Sequence, residues 1–280
     1  MESIITFFTN ITSAERAMFI VGGLTIFFLI ENALPLFEKP YNKWKHSGVN
    51  IFFTFTTIVV NFAMAFILVG TSLWVTDNGI GMLQMVDLGI AGNVIVGLLA
   101  MDFLGAWLPH WTEHKVKWMW QFHLIHHTDQ HVDTTTANRH HPGESVIRFV
   151  FTTVAVILVG APMWLVFFYQ STSVVLTQFN HSNLKTPSWL DDALSLIICT
   201  PNMHRVHHHY RQPYSDTNYG NIFSFWDRVF GTYVKVDNSK LVYGVDTYMA
   251  HDEAHNMSTL LKIPFKGYRQ PIEYDREEEL

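Results

Sequence analysis

A run of 27 residues without a charged side chain, residues 49–75, restricts the fold of this chain more than any other feature of its sequence. About 20 consecutive apolar residues are enough for a helix to cross a lipid bilayer. Three further apolar stretches, residues 18–37, 88–109 and 149–180, are also long enough. We therefore predict a bundle of membrane-spanning helices. The alternative is a set of buried helices in a large soluble core, which the length and uniform apolarity of the run disfavour.

Composition supports this interpretation and excludes other classes of protein. Charged residues make up only 15% of the 280 residues, against about 25% in an ordinary soluble domain. The net charge of −6 provides no basic surface for nucleic acid. The only cysteine, Cys199, excludes a disulfide framework and fits a reducing compartment.

The last apolar stretch is too long to be one straight span. Its 32 residues would form a helix of about 48 Å, whereas the hydrocarbon core is about 30 Å thick. Gly160, Ala161 and Pro162 interrupt it near the middle, and proline cannot continue a helix behind it. We predict a helical hairpin here, and an all-α, multi-pass bundle of about four spans in total.

Lysine and arginine are concentrated on one side of the predicted spans, and short loops rich in these residues stay in the cytoplasm. With the N-terminus outside, the spans and the hairpin bring these loops and the C-terminus to the cytoplasmic face. We therefore predict an integral protein of the bacterial inner membrane or the endoplasmic reticulum. The basic residues are Lys39, Lys43, Lys45, Lys115, Lys117 and Arg139.

We divide the chain into three parts. Residues 1–109 form the N-terminal spans, residues 110–235 form a catalytic region that includes the membrane hairpin 146–180, and residues 236–280 form a cytoplasmic tail. The acidic end, residues 273–280, is expected to be solvated. The N-terminus lacks a basic segment and a small-residue cleavage site, so we expect no removable signal peptide.

Histidine is the unusual residue of this chain, with 16 copies against 18 lysines and arginines together. Many of them follow one another at helical spacings of three and four residues. Such neighbours lie about 5–6 Å apart on one helix face, within reach of one metal ion. An adjacent histidine lies about 100° around the helix and could serve a second ion. The spaced groups are His110 with His114, His123 with His126 and His127, and His204 with His207 and His208.

These groups cannot lie on one rigid helix, because the nine residues from His114 to His123 span about 13.5 Å. We expect several helix ends to converge instead, with His181 among them. Nine imidazoles are too many for one four-ligand ion and suit two. His131 and His140 are weaker candidates, and we expect His46, His251 and His255 to be ordinary surface residues. The converging set is His110, His114, His123, His126, His127, His181, His204, His207 and His208.

The three groups resemble the histidine boxes of the fatty-acid hydroxylase/sterol desaturase superfamily of membrane enzymes. The likeness extends over about residues 90–235, although Trp111 after the first histidine and His209 after the third box depart from the common pattern and weaken any transfer of substrate identity. The supporting segments are WQFH at 120–123, RHHPGE at 139–144, HSN at 181–183, TP at 200–201, NYG at 218–220 and WDRVFGTY at 226–233.

The resemblance implies a bundle of membrane helices below a cytoplasmic histidine cap that holds two iron ions. It also implies an O2-dependent hydroxylase or desaturase that acts on a lipid, such as a fatty acyl chain, a sterol or a related apolar chain. The box histidines would be the catalytic iron ligands, with His181 as a further ligand and His141 as a tenth.

The residues alone lead to related chemistry. Oxidising an unactivated C–H bond requires a redox-active metal with open positions, which favours iron or copper over zinc. Asp102 lies about two turns before His110. Its carboxylate could orient a ligand imidazole, or it could be a helix-end charge at the membrane interface; both interpretations remain open.

The chain contains no dinucleotide fingerprint, haem attachment motif or cysteine set for an iron–sulfur cluster. We therefore expect a separate electron donor, cytochrome b5-like or ferredoxin-like, with its own reductase. An acidic carrier would dock over a basic rim on the cytoplasmic face. The rim residues are Lys115, Lys117, Arg139, Arg205 and Arg211.

Two other functions fit a histidine-rich membrane protein. A metal transporter would place its ligands near the bilayer midplane, whereas these histidines lie at span ends. A membrane metal-dependent hydrolase would need a carboxylate as general base, and only Glu113, Asp129, Asp133 and Glu144 are near. The sequence does not identify the lipid, the carbon attacked, the donor or the oligomeric state.

Overall fold

The computed structural model describes residues 2–38, 41–86 and 88–271. Within these ranges the chain is almost entirely helical, with isolated β-bridges and no β-strand. This confirms the predicted fold class. The α-helices are α1 (Glu2–Asn10), α2 (Ser13–Ala33), α3 (Lys43–Asp77), α4 (Met82–Met85), α5 (Gly89–Asp102), α6 (Leu108–Lys115), α7 (Lys117–His127), α8 (Pro142–Val159), α9 (Met163–His181), α10 (Ser188–Leu194), α11 (Pro201–His207), α12 (Phe225–Val229), α13 (His251–Ala254) and α14 (Met257–Lys262).

Four helical stretches of the described chain are long and apolar enough to cross a membrane. They agree with the number of predicted spans, although the second begins six residues before the charge-free run because Lys43 and Lys45 belong to the same helix. They are Ser13–Ala33, Lys43–Met85, Gly89–Lys115 and Pro142–Val159.

The predicted hairpin is present as α8 and α9. Gly160 adopts a left-handed conformation with φ 68° and ends α8, and Pro162 precedes the first residue of α9. The tip is held from outside: Ser72 Oγ donates to the Ala161 carbonyl at 2.8 Å and Gln84 Nε2 donates to the Gly160 carbonyl at 2.7 Å. The last turns of α3 and helix α4 therefore fix the turn at the end of the hairpin remote from the histidines.

Two apolar cores stabilise the molecule. One lies among the membrane helices α3, α5, α8 and α9, with Met101, Val156 and Leu165 at its centre. The second lies beside the histidine-rich end, where Phe53 and Ile125 pack with residues of the 245–263 segment. The acidic end at 273–280 lies outside the described residues.

Between α5 and α6 the helix widens into a π-helical turn, Phe103–Trp107. The wide turn keeps one continuous helical element from Gly89 to Lys115, while it changes the direction of the side chains that follow. Such π-bulges are often found at functional sites, and this one lies immediately before His110.

Candidate metal centre

Nine histidines converge at one end of the bundle, and they are the nine that the spacing analysis brought together. They come from α6, α7, the end of α9, and α11 with the residue that follows it. Eight are buried, and the side chain of the ninth, His114, is only 4% exposed. Burial of nine imidazoles in one place requires compensation, because a buried polar group without a partner is costly.

The nine histidines form two groups, and within each group the candidate ligand atoms lie within 4.8 Å of one another. A third cluster of this kind, His123 with His140 and Glu144, shares His123 with the first group. Adjacent residues fall into different groups: His126 and His127 are separated, as are His207 and His208. This division follows from the rotation of about 100° per helical residue. The first group is His110, His114, His123, His127 and His207, and the second is His126, His181, His204 and His208.

Short separations between imidazole nitrogens identify the points of convergence. The Nε2 atom of His181 lies 3.1 Å from Nε2 of His126 and 3.1 Å from Nε2 of His204. In the first group, Nε2 of His123 and of His127 are 3.2 Å apart. Two nitrogens bound to one ion at 2.0–2.1 Å would be about 2.8 Å apart at the octahedral angle and up to about 3.4 Å apart at the tetrahedral angle. The spacing therefore fits ligands around one ion in each group.

The other nitrogen of several rings is held by the protein. The Nδ1 atoms of His110, His207 and His181 lie 2.9, 2.7 and 2.7 Å from the carbonyls of Tyr219, Thr217 and Thr177 respectively. A carbonyl can only accept, so each Nδ1 donates and each Nε2 keeps a free lone pair. Such contacts fix the tautomer and orientation of a metal ligand.

Unpartnered ring nitrogens complete the pattern. Nε2 of His110, His114 and His207 and both ring nitrogens of His208 are buried without a hydrogen-bond partner among the described residues. Native proteins rarely leave such atoms unpaired without an ion or a water molecule. The residues present therefore fit two metal ions.

Burial also keeps the imidazoles in the form that binds metal. Desolvation, followed by the repulsion of neighbouring histidines, lowers the pKa of His123, His126, His127 and His208 well below the usual value. Desolvation likewise lowers the pKa of His207 to about 4. These rings are neutral at pH 7, which leaves a lone pair for a cation.

A carboxylate pair beside the first group was not assigned a role from the sequence. Glu144 Oε1 lies 2.8 Å from Nδ1 of His123, 2.7 Å from Nδ1 of His140 and 3.0 Å from Nε of Arg148. Arg148 Nη2 donates to Glu113 at 2.7 Å. Glu144 and Arg148 are four residues apart on α8, and His140 lies four residues before Glu144, just ahead of that helix. This spacing is the signal that could have revealed the cluster.

Asp102 does not orient an imidazole. Its carboxylate accepts from the backbone N–H groups of Ile222 and Phe223 at 3.2 and 3.1 Å, and from Trp226 Nε1 at 3.2 Å. It is fully buried, so the second interpretation, a helix-end charge at the membrane interface, is also wrong. Asp102 instead holds residues 222–226, which follow the third histidine box and lie about 120 positions further along the chain.

His141 lies in neither group. Its Nδ1 accepts from the N–H of Gly143 at 2.9 Å and caps the N-terminus of α8. His131 is stacked on Tyr41, with ring centroids 4.3 Å apart, and His140 contacts the site through Glu144.

Two expectations about surface residues are wrong. His46 is 1% exposed, because its Nε2 lies 2.8 Å from Asp129 Oδ1 in the interior of the cap. Arg139 and Arg205 are both fully buried and cannot belong to a basic docking rim. Each guanidinium donates to backbone carbonyls of distant segments. The position of an arginine between predicted spans does not reveal such contacts.

A cavity of about 460 Å³ begins at the two histidine groups and continues between the membrane helices. His110, His126, His181 and His204 line one end, and residues of α2, α3, α8 and α9 form the walls. A volume of this size is typical of sites for small organic ligands. Representative wall residues are Phe62, Phe149, Phe167, Asn61, Ser145 and Gln170.

Comparison with known proteins identifies relatives of this region. The family model described as fatty acid hydroxylase matches residues 94–232. Ornithine lipid hydroxylase OlsE of Rhizobium tropici is 26% identical over 144 residues, which cover 51% of this chain and 42% of that protein. Human alkylglycerol monooxygenase is 33% identical over 154 residues, covering 52% of this chain and 32% of the relative.

A third relative, cholesterol 25-hydroxylase-like protein 1, member 2 of Danio rerio, is 28% identical over 156 residues, covering 55% of this chain and 54% of the relative. The matched part therefore spans between about a third and about a half of these relatives. No solved structure matches the chain significantly.

Proposed function

This chain belongs to the fatty-acid hydroxylase/sterol desaturase superfamily, and on that premise we propose that it is a membrane-bound, di-iron, O2-dependent lipid hydroxylase. The observation that carries the proposal is the pair of all-histidine groups at the mouth of a cavity that runs between the membrane helices.

The proposed iron ligands are the nine histidines of the two groups. When bound there, two iron ions would supply the redox chemistry that couples reduction of O2 to oxidation of a C–H bond. Hydroxylation consumes the lipid, O2, two electrons and two protons, and it yields the alcohol and one water molecule.

The chain itself contributes orientation and a sheltered site. Backbone carbonyls of Tyr219, Thr217 and Thr177 fix three imidazoles, and Glu144 fixes His123. Carboxylate partners of this kind make a ligand imidazole more basic and hold its ring in place. The cavity would hold the lipid chain beside the histidines and exclude bulk water from the reacting carbon.

The composition of the two groups also argues against the hydrolase alternative. Neither group contains a carboxylate, whereas a metal hydrolase needs a general base close to its bound water. Glu144 lies nearby but is already bonded to two histidines and Arg148. Transport is disfavoured because the groups lie at the helix ends, not in the middle of the spans.

We further propose that the histidine cap faces the cytoplasm and that a separate cytochrome b5-like or ferredoxin-like carrier, with its reductase, delivers the electrons. Lys115, Lys117 and Arg211 are exposed at the cap, although Lys115 is paired with Asp216. These three replace the five-residue rim expected from the sequence.

Reconstitution tests this function directly. Purified iron-loaded protein in lipid vesicles should form no product with O2 and lipid alone, and it should form product when a carrier, its reductase and NAD(P)H are added. Mass spectrometry should find a lipid heavier by 16 mass units. A loss of two mass units would show desaturation, and turnover with NAD(P)H but without a carrier would contradict the proposed electron route.

A further inference from the structure

Two arginines line the membrane cavity, and they differ in what neutralises them. Arg148 lies near the histidines, and its guanidinium donates to two fully buried carboxylates, Glu113 and Glu144. Both carboxylates engage this guanidinium, so Arg148 is not available to bind an anion. Arg16 lies on α2, away from the histidines.

Arg16 has no carboxylate within 4.0 Å among the described residues. Its guanidinium lies over the ring of Phe167 at 4.5 Å, and Nη2 donates to Ser13 Oγ at 3.2 Å. The neighbouring Glu15 is engaged elsewhere, because its carboxylate accepts from the N–H and Oγ1 of Thr12, both at 2.8 Å. The Nε atom of Arg16 is buried and has no hydrogen-bond partner in the part of the chain that the structure describes.

Position along the bundle gives the distance between Arg16 and the metal centre. Arg16 contacts Phe167, and His181 follows Phe167 by 14 residues on the same helix, α9. Fourteen helical residues extend about 21 Å. A saturated chain advances about 1.3 Å per C–C bond of about 1.5 Å, so a chain of about 16 carbons would reach from Arg16 to the histidines.

The walls of the cavity explain how such a chain could enter. Helix α2 packs on α9, while α3 packs on α8. Side chains of α3 that line the cavity are also exposed on the outer surface, with Phe62 79% and Ile58 42% exposed. The cavity is therefore bordered by a lipid-facing surface between α2 and α3, through which an amphiphile can pass from the bilayer.

We propose that Arg16 is a specificity-determining residue that binds the oxyanion end of a single-chain anionic amphiphile, with the apolar end of that substrate at the histidines. The oxyanion is a carboxylate or a phosphate, and the free Nε atom is the donor reserved for it. The inference rests on the proposed function only for the statement that oxidation occurs at the far end of the chain. The substrate then lies across the bilayer, and the oxidised carbon is remote from the charged group.

Binding to metal-free, full-length protein tests the role of Arg16 without turnover. Hexadecanoate and uncharged 1-hexadecanol have the same chain length and differ in the head group. Arg16→Gln should weaken hexadecanoate binding about tenfold or more and leave hexadecanol binding unchanged, whereas Arg16→Lys should restore part of the affinity. Lys45→Gln removes an exposed cation outside the cavity and should change neither affinity.

Equal losses for both probes in Arg16→Gln, or no loss for either, would overturn the proposal and assign Arg16 to packing or to bulk lipid headgroups. A second readout is the position of the new hydroxyl group in reconstituted turnover. Oxidation near the methyl end of hexadecanoate supports the orientation, and oxidation beside the carboxylate contradicts it. Arg16-dependent binding with no turnover of any lipid would count against the proposed function and leave this inference standing.

Discussion

The cap of this protein contains two buried polar clusters that use similar residues in different ways. One is the pair of histidine groups. The other, the His46 cluster, consists of His46, Asn50, Asp129, Thr136 and Arg139. Both are buried. The His46 cluster lies beside the histidine groups, since His127 and Asp129 are two residues apart.

In the His46 cluster the polar atoms bond to one another. Asp129 accepts from Asn50 at 3.1 Å, from Thr136 Oγ1 at 2.7 Å and from the N–H of His131 at 3.0 Å, and it also contacts His46 Nε2 at 2.8 Å. Arg139 Nη1 donates to Asn50 Oδ1 at 2.8 Å, and Arg139 Nε donates to the Ile125 carbonyl at 3.0 Å. The acidic and basic side chains of this cluster therefore find their polar partners within the protein.

In the histidine groups the opposite holds. Only the outer nitrogens of His110, His123, His181 and His207 are matched with acceptors, and the inner nitrogens face one another. The difference teaches that histidine burial alone does not indicate a metal site. A set of inner nitrogens without protein partners does.

Substituting one histidine of the two groups should have the largest expected effect, which is on activity. We expect His207→Ala to abolish turnover, because a ligand of the first group is lost, while membrane insertion and helix content stay unchanged. Activity in vesicles and circular dichroism measure both. His251→Ala, which changes an exposed histidine, is the control and should stay active; full activity in His207→Ala would remove that residue from the ligand set.

Breaking the His46 cluster should affect stability in the presence or absence of metal. Arg139→Met leaves Asn50 Oδ1 and the carbonyls of Ile125 and Ala254 without their donor, and each buried polar group left unsatisfied costs about 1–3 kcal/mol. Thermal unfolding should show a lower Tm for both iron-loaded and metal-free protein. A decrease confined to the iron-loaded protein would mean that the two clusters are not separate.

Acid should also distinguish the clusters in metal-free protein. Desolvation first, then neighbouring charges, lowers the pKa of His123 and His127 well below the usual histidine value of 6.5, and desolvation lowers the pKa of His207 to about 4. The unfolded chain therefore binds more protons below pH 6.5, and stability falls as the pH decreases from about 6.5 to 4. Asp129 contributes little in this window. Although burial opposes it, the charges of His46 and Arg139 hold the pKa of Asp129 well below 3.8.

The measurement is Tm against pH for metal-free and iron-loaded protein. The iron-loaded protein should keep its Tm to lower pH, because a bound cation competes with protons for the same nitrogens. Identical curves for the two forms would indicate that metal does not bind to the titrating histidines.

The smallest expected effect concerns docking at the cap surface. Lys117→Glu should slow electron transfer from an acidic carrier several-fold at low ionic strength. The effect should decrease at 1 M salt, where the Debye length is about 3 Å. Stopped-flow reduction measures the rate, and Lys240→Glu, an exposed site elsewhere, is the control. An equal rate for both variants at low salt would argue against docking at Lys117.

Much of this organisation could be predicted from the sequence. Charge-free runs predict the spans, because charged side chains are rare inside a bilayer. The glycine and proline at 160–162 predict the hairpin. The helical spacing of three and four residues also indicates which histidines could converge, and it explains why His126 and His127 fall into different groups.

The sequence did not show which charged residues are buried. Arg139, Arg205 and His46 are ordinary surface types by composition, and their burial depends on partners that lie between about 14 and 115 positions away. The contacts of Asp102 could not be predicted for the same reason, because its hydrogen-bond donors lie in the distant segment 222–226. Local patterns report the near neighbours of a residue and not these distant ones.

Metal content tests the central claim most directly. Elemental analysis of purified, folded and active protein should find two iron atoms per chain. His208→Ala, which removes a ligand of the second group and leaves the first complete, should lower this number towards one. A value of one or none in active wild-type protein would contradict the account.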